Sequence, residues 1–188
     1  MTSAPSDLLH PLPLLYQHAG HPLPDFSVIA ATDLPQPYRN LLAHSGDMTS
    51  KLEEFHGDDL VLKILFREHT PDFYRREVLL CTEKTGRGVE YGAIEINLAA
   101  FDDALRAEIL EAHLPLGGLL NRHRIRYRGE PRAFLRIAAD ARLAELFGLP
   151  APAALYGRSN VLLDASRQTL AQIVEILPPA SARAEASV

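Results

Sequence analysis

The sequence predicts an α+β fold with a single antiparallel β-sheet and helices packed on it. Stretches of alternating polarity, which are typical of strands, come in consecutive hairpin pairs that short helical segments separate. At 188 residues, with 47% hydrophobic and 23% charged residues, the chain has the size and composition of one globular domain. A chain of this length can also enclose a ligand cavity.

Three segments are expected along the chain. Residues 1–30 form a Pro-rich arm, and its five prolines among residues 1–25 disfavour a regular helix or a central strand. We therefore expect the arm to lie extended over the surface. Residues 31–179 are predicted to form the domain, and the small, polar residues 180–188 to form a disordered tail.

The first half of the domain is predicted to hold two short helices and three strands. Residues 34–43 form the first helix, with Pro35 in its first turn. Asp47 is suited to cap the start of the second helix, and Gly57 is suited to end it. The alternating residues 59–68, 74–82 and 89–98 are the strands, and the turn 84–88 joins the last two into a hairpin.

The second half is predicted to alternate helices with longer strands. Phe101, Leu105 and Ile109 recur at helical spacing behind an acidic first turn, which indicates a helix over residues 101–112. The remaining elements are a short helix at 116–121, a strand at 124–138 broken at 129–131, a helix at 140–147, and strands at 155–164 and 169–177.

Charge and composition narrow the range of partners. The net charge of −5 argues against a nucleic acid, which normally meets a basic surface. No apolar stretch approaches the roughly 20 residues of a membrane helix, and the N-terminus lacks the features of a signal peptide. We therefore expect a cytoplasmic protein with no membrane partner. Cys81 is the only cysteine and the eight histidines lack ligand spacing, so no disulfide or metal site is expected.

Arg76 is the first candidate functional residue. Side chains alternate between the faces of a strand, so Arg76 shares a face with Val78 and Leu80. A guanidinium in line with two aliphatic side chains either reaches water at the strand end or stands in a pocket to hold an anion. Arginine suits the second role, because its planar fork binds a carboxylate through two hydrogen bonds.

Glu175 is the second candidate, because both faces of its strand look covered. It shares one face with Ile173 and Leu177, while Val174 and Ile176 occupy the other. A carboxylate so placed lies inside the protein or in a cavity wall, where apolar surroundings raise its pKa. The alternative is an ion pair with an arginine on a neighbouring strand.

Arg76 itself could be that partner. It would then bridge Glu175 across the sheet, and Arg75 and Glu77 would form a solvated pair on the opposite face. A separate weak signal is Leu114-Pro115-Leu116-Gly117-Gly118, since backbone N–H groups at the start of a helix, including that of Gly117, can bind an anion.

Four blocks of sequence, taken in order, resemble the chorismate lyase (chorismate pyruvate-lyase) family. Together they span residues 46–179, most of the chain. The blocks are GDMTSKLEEFHG (46–57), YRREVLLC (74–81), LPLGGLL (114–120) and LYGRSNVLLDASRQTLAQIVEILPP (155–179).

The resemblance implies an antiparallel sheet whose helical flaps close an internal cavity. It also implies a cofactor-free elimination of pyruvate from chorismate that leaves 4-hydroxybenzoate. In this family's pattern Arg76 matches the arginine that binds the ring carboxylate, and Met48 and Leu116 match positions whose backbone N–H groups help to hold it. Glu175 matches the carboxylate that faces the oxygen substituents of the ring.

The implied reaction is chemically coherent for these residues. Chorismate is a dianion, so an acidic protein needs a local cation and oriented N–H donors to bind it. Formation of the aromatic ring drives the elimination, and the protein has only to exclude water, orient the ether and help to move one proton. Glu175 with a raised pKa would suit that proton transfer.

A second relative of the same fold implies binding without catalysis. RLAELFGLP (142–150) and the final hairpin are similar to the C-terminal half of the effector-binding domains of GntR-type repressors. The Pro-rich arm does not suit the winged-helix region that precedes those domains. The alternative is therefore a binding protein for a small aromatic carboxylate, and the sequence leaves open whether the chain is a monomer or a dimer.

Overall fold

A computed structural model of the chain, described for residues 5–111, 113–150 and 152–180, contains one seven-stranded antiparallel sheet. Beyond Ala180, the predicted tail therefore lies outside the described residues. Strand order across the sheet is β1-β5-β6-β7-β4-β3-β2. The strands are β1 Phe26–Ile29, β2 Leu60–His69, β3 Phe73–Thr82, β4 Gly88–Asn97, β5 Tyr127–Ala138, β6 Ala154–Asp164 and β7 Thr169–Leu177.

Seven α-helices accompany the sheet in the described part of the chain, which confirms the predicted α+β class. None of these helices combines the length and the apolar character needed to cross a membrane. The helices are α1 Pro5–Leu8, α2 Leu12–His18, α3 Tyr38–Leu42, α4 Met48–His56, α5 Asp103–Glu111, α6 Leu116–Arg122 and α7 Ala141–Phe147.

Local capping signals bound α4 as the sequence predicts. The Asp47 carboxylate accepts a hydrogen bond of 2.9 Å from the backbone N–H of Ser50, which satisfies one of the amides left open at a helix start. Gly57 ends α4 in the left-handed conformation, with φ at 64°. These two residues set where the first turn of α4 lies over the sheet.

The predicted break in the long fifth strand is wrong. β5 pairs with β6 from Tyr127 to Ala138, and its register shifts only between Pro131 and Ala133. Pro131 has no N–H to donate to the ladder, so an irregularity at this point allows the strand to continue.

Helices cover both faces of the sheet. α2 and α7 pack on one face around buried residues of β3, β4, β5 and β7. On the other face, two apolar clusters form beneath four further helices, one with α5 and α6 and one with α3 and α4. The candidate site described below is lined by members of both clusters, including Leu80, Ile94 and Leu116.

The expectation of an extended N-terminal arm is wrong for residues 12–18. This segment is helix α2, and its proline lies in the first turn, where a missing N–H breaks no helical hydrogen bond. Leu12, Leu15 and Tyr16 are buried against the sheet. The arm also contributes β1, which pairs with β5, so it is part of the packed structure.

Candidate functional site

A cavity of about 80 Å³ lies between one face of the sheet and the N-terminal ends of α4 and α6. Helices α4 and α6 are therefore the two flaps over the cavity, and the flap arrangement that the family resemblance implies is present. Every residue that the sequence analysis places in the site lines this cavity, although the roles expected of them stay predictions. These residues are Met48, Arg76, Leu116, Gly117 and Glu175.

Strand pairing explains why distant residues meet on the cavity floor. β7 lies between β4 and β6, so the last hairpin, β6 and β7, is inserted between β5 and β4. In one row across the sheet Arg76 pairs with Ile94, Ile94 with Ile173, and Ile173 with Asn160. In the next row Val78 pairs with Gly92, Gly92 with Glu175, and Glu175 with Arg158.

Arg76 is a buried cation, with only 2% of its surface exposed. Its Nη2 donates a hydrogen bond of 3.3 Å to the backbone carbonyl of Leu114. Its Nε and Nη1 atoms are buried and have no hydrogen-bond partner among the described residues. Burial lowers the pKa of the guanidinium, and Tyr74, whose ring centroid lies 5.8 Å away, offsets part of that effect.

Glu175 is held by another arginine. Arg158 lies directly opposite it on β6, and Arg158 Nε donates a hydrogen bond to its carboxylate. Arg158 Nη1 also donates to the backbone carbonyls of Leu42, at 2.9 Å, and His44, at 2.8 Å. The alternative reading of Glu175, an ion pair with an arginine of a neighbouring strand, is confirmed, and the version in which Arg76 provides the partner is wrong. Glu175 therefore lies among aliphatic side chains of the cavity as a paired carboxylate, not as an isolated one.

Arg75 and Glu77 do not form the solvated pair that this alternative implied. Arg75 forms salt bridges with Glu95 and Glu68. Glu77 is fully buried on the face opposite the cavity, where it accepts a hydrogen bond of 2.6 Å from the Tyr91 hydroxyl. Arg142 also pairs with Glu77.

Glu90 is a cavity residue that the sequence analysis missed. It is 5% exposed, and its Oε2 atom finds no hydrogen-bond partner in the described part of the chain. Burial raises the pKa of Glu90 well above its ordinary value, the charge of Glu175 raises it further, and Arg158 lowers it. The available signal was a charged residue in the predicted strand 89–98, on the same face as Gly92 and Ile94.

Two further polar residues, Asn160 and Tyr127, also line the cavity. Asn160 is buried, and its Oδ1 atom has no partner within the residues described. Burial, together with the nearby charge of Asp47, raises the pKa of the Tyr127 hydroxyl to about 12. Arg158 and Asn160 were also not among the predicted site residues, although the polar run Arg158-Ser159-Asn160 inside a predicted strand could have indicated them.

The two flaps touch where α4 and α6 begin. A side chain on Gly117 would place its Cβ 2.1 Å from Asp47 Oδ1 and 3.0 Å from the Tyr127 hydroxyl, so this contact requires glycine. Met48 and Leu116 are the first residues of α4 and α6. Backbone N–H groups in a first turn have no acceptor within their helix, which makes them available to a ligand.

Comparison with known proteins shows the fold. No family model matches the sequence, and no curated protein matches it. The solved structure of PhnF from Mycobacterium smegmatis is 14% identical, with a TM-score of 0.57 over 89% of this chain and 93% of that chain. The effector domain of the same protein is 17% identical, with a TM-score of 0.55 over 71% of this chain and 89% of that chain.

A third structure, gene product SA0254 from Staphylococcus aureus, is 10% identical, with a TM-score of 0.53 over 70% of this chain and 87% of that chain. At these identities the likeness concerns the fold alone. It agrees with the fold that the sequence resemblance implies for chorismate lyases and regulator effector domains, and it does not distinguish an enzyme from a binding domain.

Proposed function

We propose that this chain binds a small-molecule carboxylate in the buried cavity, with Arg76 as the residue that holds it. The observation that carries the proposal is the pair of buried N–H donors on Arg76 that have no acceptor in the described structure. A buried charge is costly unless it is paired and hydrogen-bonded. A carboxylate supplies both the opposite charge and the missing acceptors.

The charges of the lining favour a ligand with one carboxylate. Of the two arginines that line the cavity, Arg158 already pairs with Glu175, which leaves Arg76 as the cation without a carboxylate in the described residues. Chorismate carries two carboxylates, so this lining provides for only one of them. Aliphatic side chains that suit a ring make up much of the rest, namely Leu62, Val78, Leu80, Ile94, Leu162 and Ile173.

The size of the cavity implies that binding opens the flaps. Its volume of about 80 Å³ is well below the roughly 300–1,000 Å³ of typical ligand pockets. The sheet below is a continuous hydrogen-bonded ladder, whereas α4 and α6 meet through the contact between Asp47 and Gly117. We therefore expect the flaps to move when a ring enters. One structural neighbour is named as an effector domain, and a cavity that responds to a ligand is consistent with that name.

Chorismate lyase activity is the second candidate, favoured by the presence of Arg76 and Glu175 in one cavity. In that elimination the ring loses a proton from its hydroxyl-bearing carbon and the ether C–O bond breaks. The ring becomes aromatic, and the released enolpyruvate gains a proton at its methylene carbon to give pyruvate. Glu175 would accept the ring proton, and Glu90 would stand as a protonated acid in the same cavity.

Mixing the purified protein with chorismate, and separately with 4-hydroxybenzoate, distinguishes the two candidates. We expect no pyruvate to form from chorismate. We expect 4-hydroxybenzoate to bind, and Arg76→Ala to abolish that binding. Catalytic release of pyruvate and 4-hydroxybenzoate in equal amounts, lost in Arg76→Ala and Glu175→Gln, would establish the lyase instead. Thermal melting of each variant shows whether a loss reflects unfolding.

A further inference from the structure

Glu90 lies on the cavity floor at a distance from Arg76. Arg76 pairs with Ile94, and Glu90 precedes Ile94 by four residues on β4. At about 3.3 Å per residue, the two positions are about 13 Å apart along the strands. Glu90 and Arg76 share the cavity face, because Glu90 pairs with Leu80, four residues beyond Arg76 on β3.

Gly92 keeps the floor between these two residues open. It is the residue of β4 on this face between Glu90 and Ile94, and it pairs with Val78. A Cβ at Gly92 would lie 2.9 Å from Val78 Cγ2 and 3.7 Å from Glu90 Oε1. A side chain here would therefore crowd the path between Arg76 and Glu90, and glycine leaves room for a ligand to lie across the strand.

We propose that Glu90 is a ligand-binding residue that holds a hydroxyl group of the bound carboxylate, at the part of the cavity remote from Arg76. This inference rests on the proposed binding function and narrows its ligand to a cyclic or aromatic monocarboxylate that bears a hydroxyl group. Glu90 is nine-tenths or more buried and its Oε2 atom is unpartnered in the described structure, so no described residue satisfies it. A hydroxyl on the ligand would do so.

The charged groups around Glu90 favour a neutral polar group. They are Glu175, Arg158 and Asp47, and the one arginine among them is engaged by Glu175. A second carboxylate on the ligand would meet the negative charges of Glu175 and Asp47. A carboxylic acid that keeps its proton both donates and accepts a hydrogen bond, and a hydroxyl group offers the same two functions in return.

The span also fits one ring. Side chains stand roughly perpendicular to a sheet, so the span of about 13 Å, less a hydrogen bond of about 2.9 Å at each end, leaves about 7 Å for a six-membered ring with its substituents. Ile94 and Ile173 lie beside this path on the same face and would contact the ring. Asn160, whose Oδ1 is also unpartnered among described residues, lies across the sheet in the row of Arg76 and can accept from a further donor.

Matched probes test the role of Glu90. Benzoate and 4-hydroxybenzoate differ only by the hydroxyl, and calorimetric titration gives the affinity for each. We expect the wild-type protein to prefer 4-hydroxybenzoate by about tenfold or more, as a buried hydrogen bond allows. Glu90→Met should reduce this preference to less than about threefold, whereas Glu90→Gln should retain most of it, because an amide also donates and accepts.

The control is Glu83→Met, which removes an exposed carboxylate in the turn after β3 and should leave the preference at its wild-type value. A wild-type protein without the preference, or a Glu90→Met variant that keeps it, would overturn the role of Glu90 while carboxylate binding itself stands. If the wild-type protein binds neither probe, the proposed binding function fails, and the role of Glu90 fails with it.

Discussion

Arg158 lies directly opposite Glu175 across strands β6 and β7, and its Nε donates a hydrogen bond to the Glu175 carboxylate. This pair accounts for one of the two arginines in the cavity and leaves Arg76 as the other. A buried ion pair and a buried unpaired cation on the same sheet face differ in what their loss should do to stability. The change in stability on replacing each arginine therefore shows whether that arginine serves the fold or ligand binding.

Replacement of these arginines by methionine should have opposite effects on the free energy of unfolding. Arg158→Met leaves Glu175 and two backbone carbonyls without their donor, and we expect a loss of about 3–5 kcal/mol. Arg76→Met removes a buried charge without a carboxylate partner among the described residues, and we expect a gain of about 1–3 kcal/mol in the ligand-free protein. Urea denaturation measures both, and destabilisation by Arg76→Met would show that Arg76 stabilises the fold by more than its hydrogen bond to Leu114.

The pH dependence of stability should report the buried carboxyl of Glu90. Its pKa is raised in the folded protein, so its contribution is fully present below the unfolded pKa of about 4.3 and is lost as pH rises toward the folded value. Glu90→Gln removes this loss. The melting temperature of the variant minus that of the wild type should therefore increase from pH 4.5 to pH 8, and a flat difference would contradict the raised pKa.

The contact between the flaps should depend on Gly117. Gly117→Ala would bring a methyl group 2.1 Å from Asp47 Oδ1, while the other oxygen of Asp47 caps α4. We expect this substitution to lower the free energy of unfolding by about 1–3 kcal/mol.

Gly118→Ala is the matched control in the same helix. Apart from its chain neighbours and its own helix backbone, no described atom lies within 4 Å of a Cβ at Gly118, so this change should stabilise the protein by about 0.5–1 kcal/mol through helix propensity. Equal effects at the two glycines, measured by thermal denaturation, would show that α4 and α6 do not meet as described.

The N-terminal helix should contribute to stability as part of the core. Leu15 is 1% exposed, and Leu15→Ala should cost about 2–5 kcal/mol through lost burial and the cavity left behind. Leu14 is 41% exposed, and Leu14→Ala should change the free energy of unfolding by less than about 0.5 kcal/mol. Similar small effects at both positions would indicate that the arm does not pack on the sheet.

Local signals account for the parts of the fold that the sequence predicts. Asp47 and Gly57 bound α4 because a side-chain cap and a left-handed glycine act within a few residues. The arm was predicted wrongly because proline counts alone do not show where each proline falls in a helical turn. In α2 the proline lies in the first turn, where it is tolerated, and the apolar residues Leu12 and Leu15 favour packing.

Partners across the sheet could not be predicted in the same way. Arg76 and Glu175 stand out in their own strands, but the partner of Glu175 depends on the insertion of β7 between β6 and β4. That order is a long-range property, whereas consecutive hairpins specify only neighbouring strands. Glu90 was missed for a related reason, since its burial depends on flaps that lie far from it in the chain.

The most direct test of the account compares benzoate with benzamide, which has the same ring but no charge. If Arg76 is present to hold a carboxylate, calorimetric titration should show benzoate binding about 100-fold or more tighter than benzamide, because a buried charge-assisted contact of about 3 kcal/mol is lost with the charge. Arg76→Met should remove this difference. Equal affinity of the wild-type protein for the two compounds, or a difference that persists in Arg76→Met, would contradict the central claim.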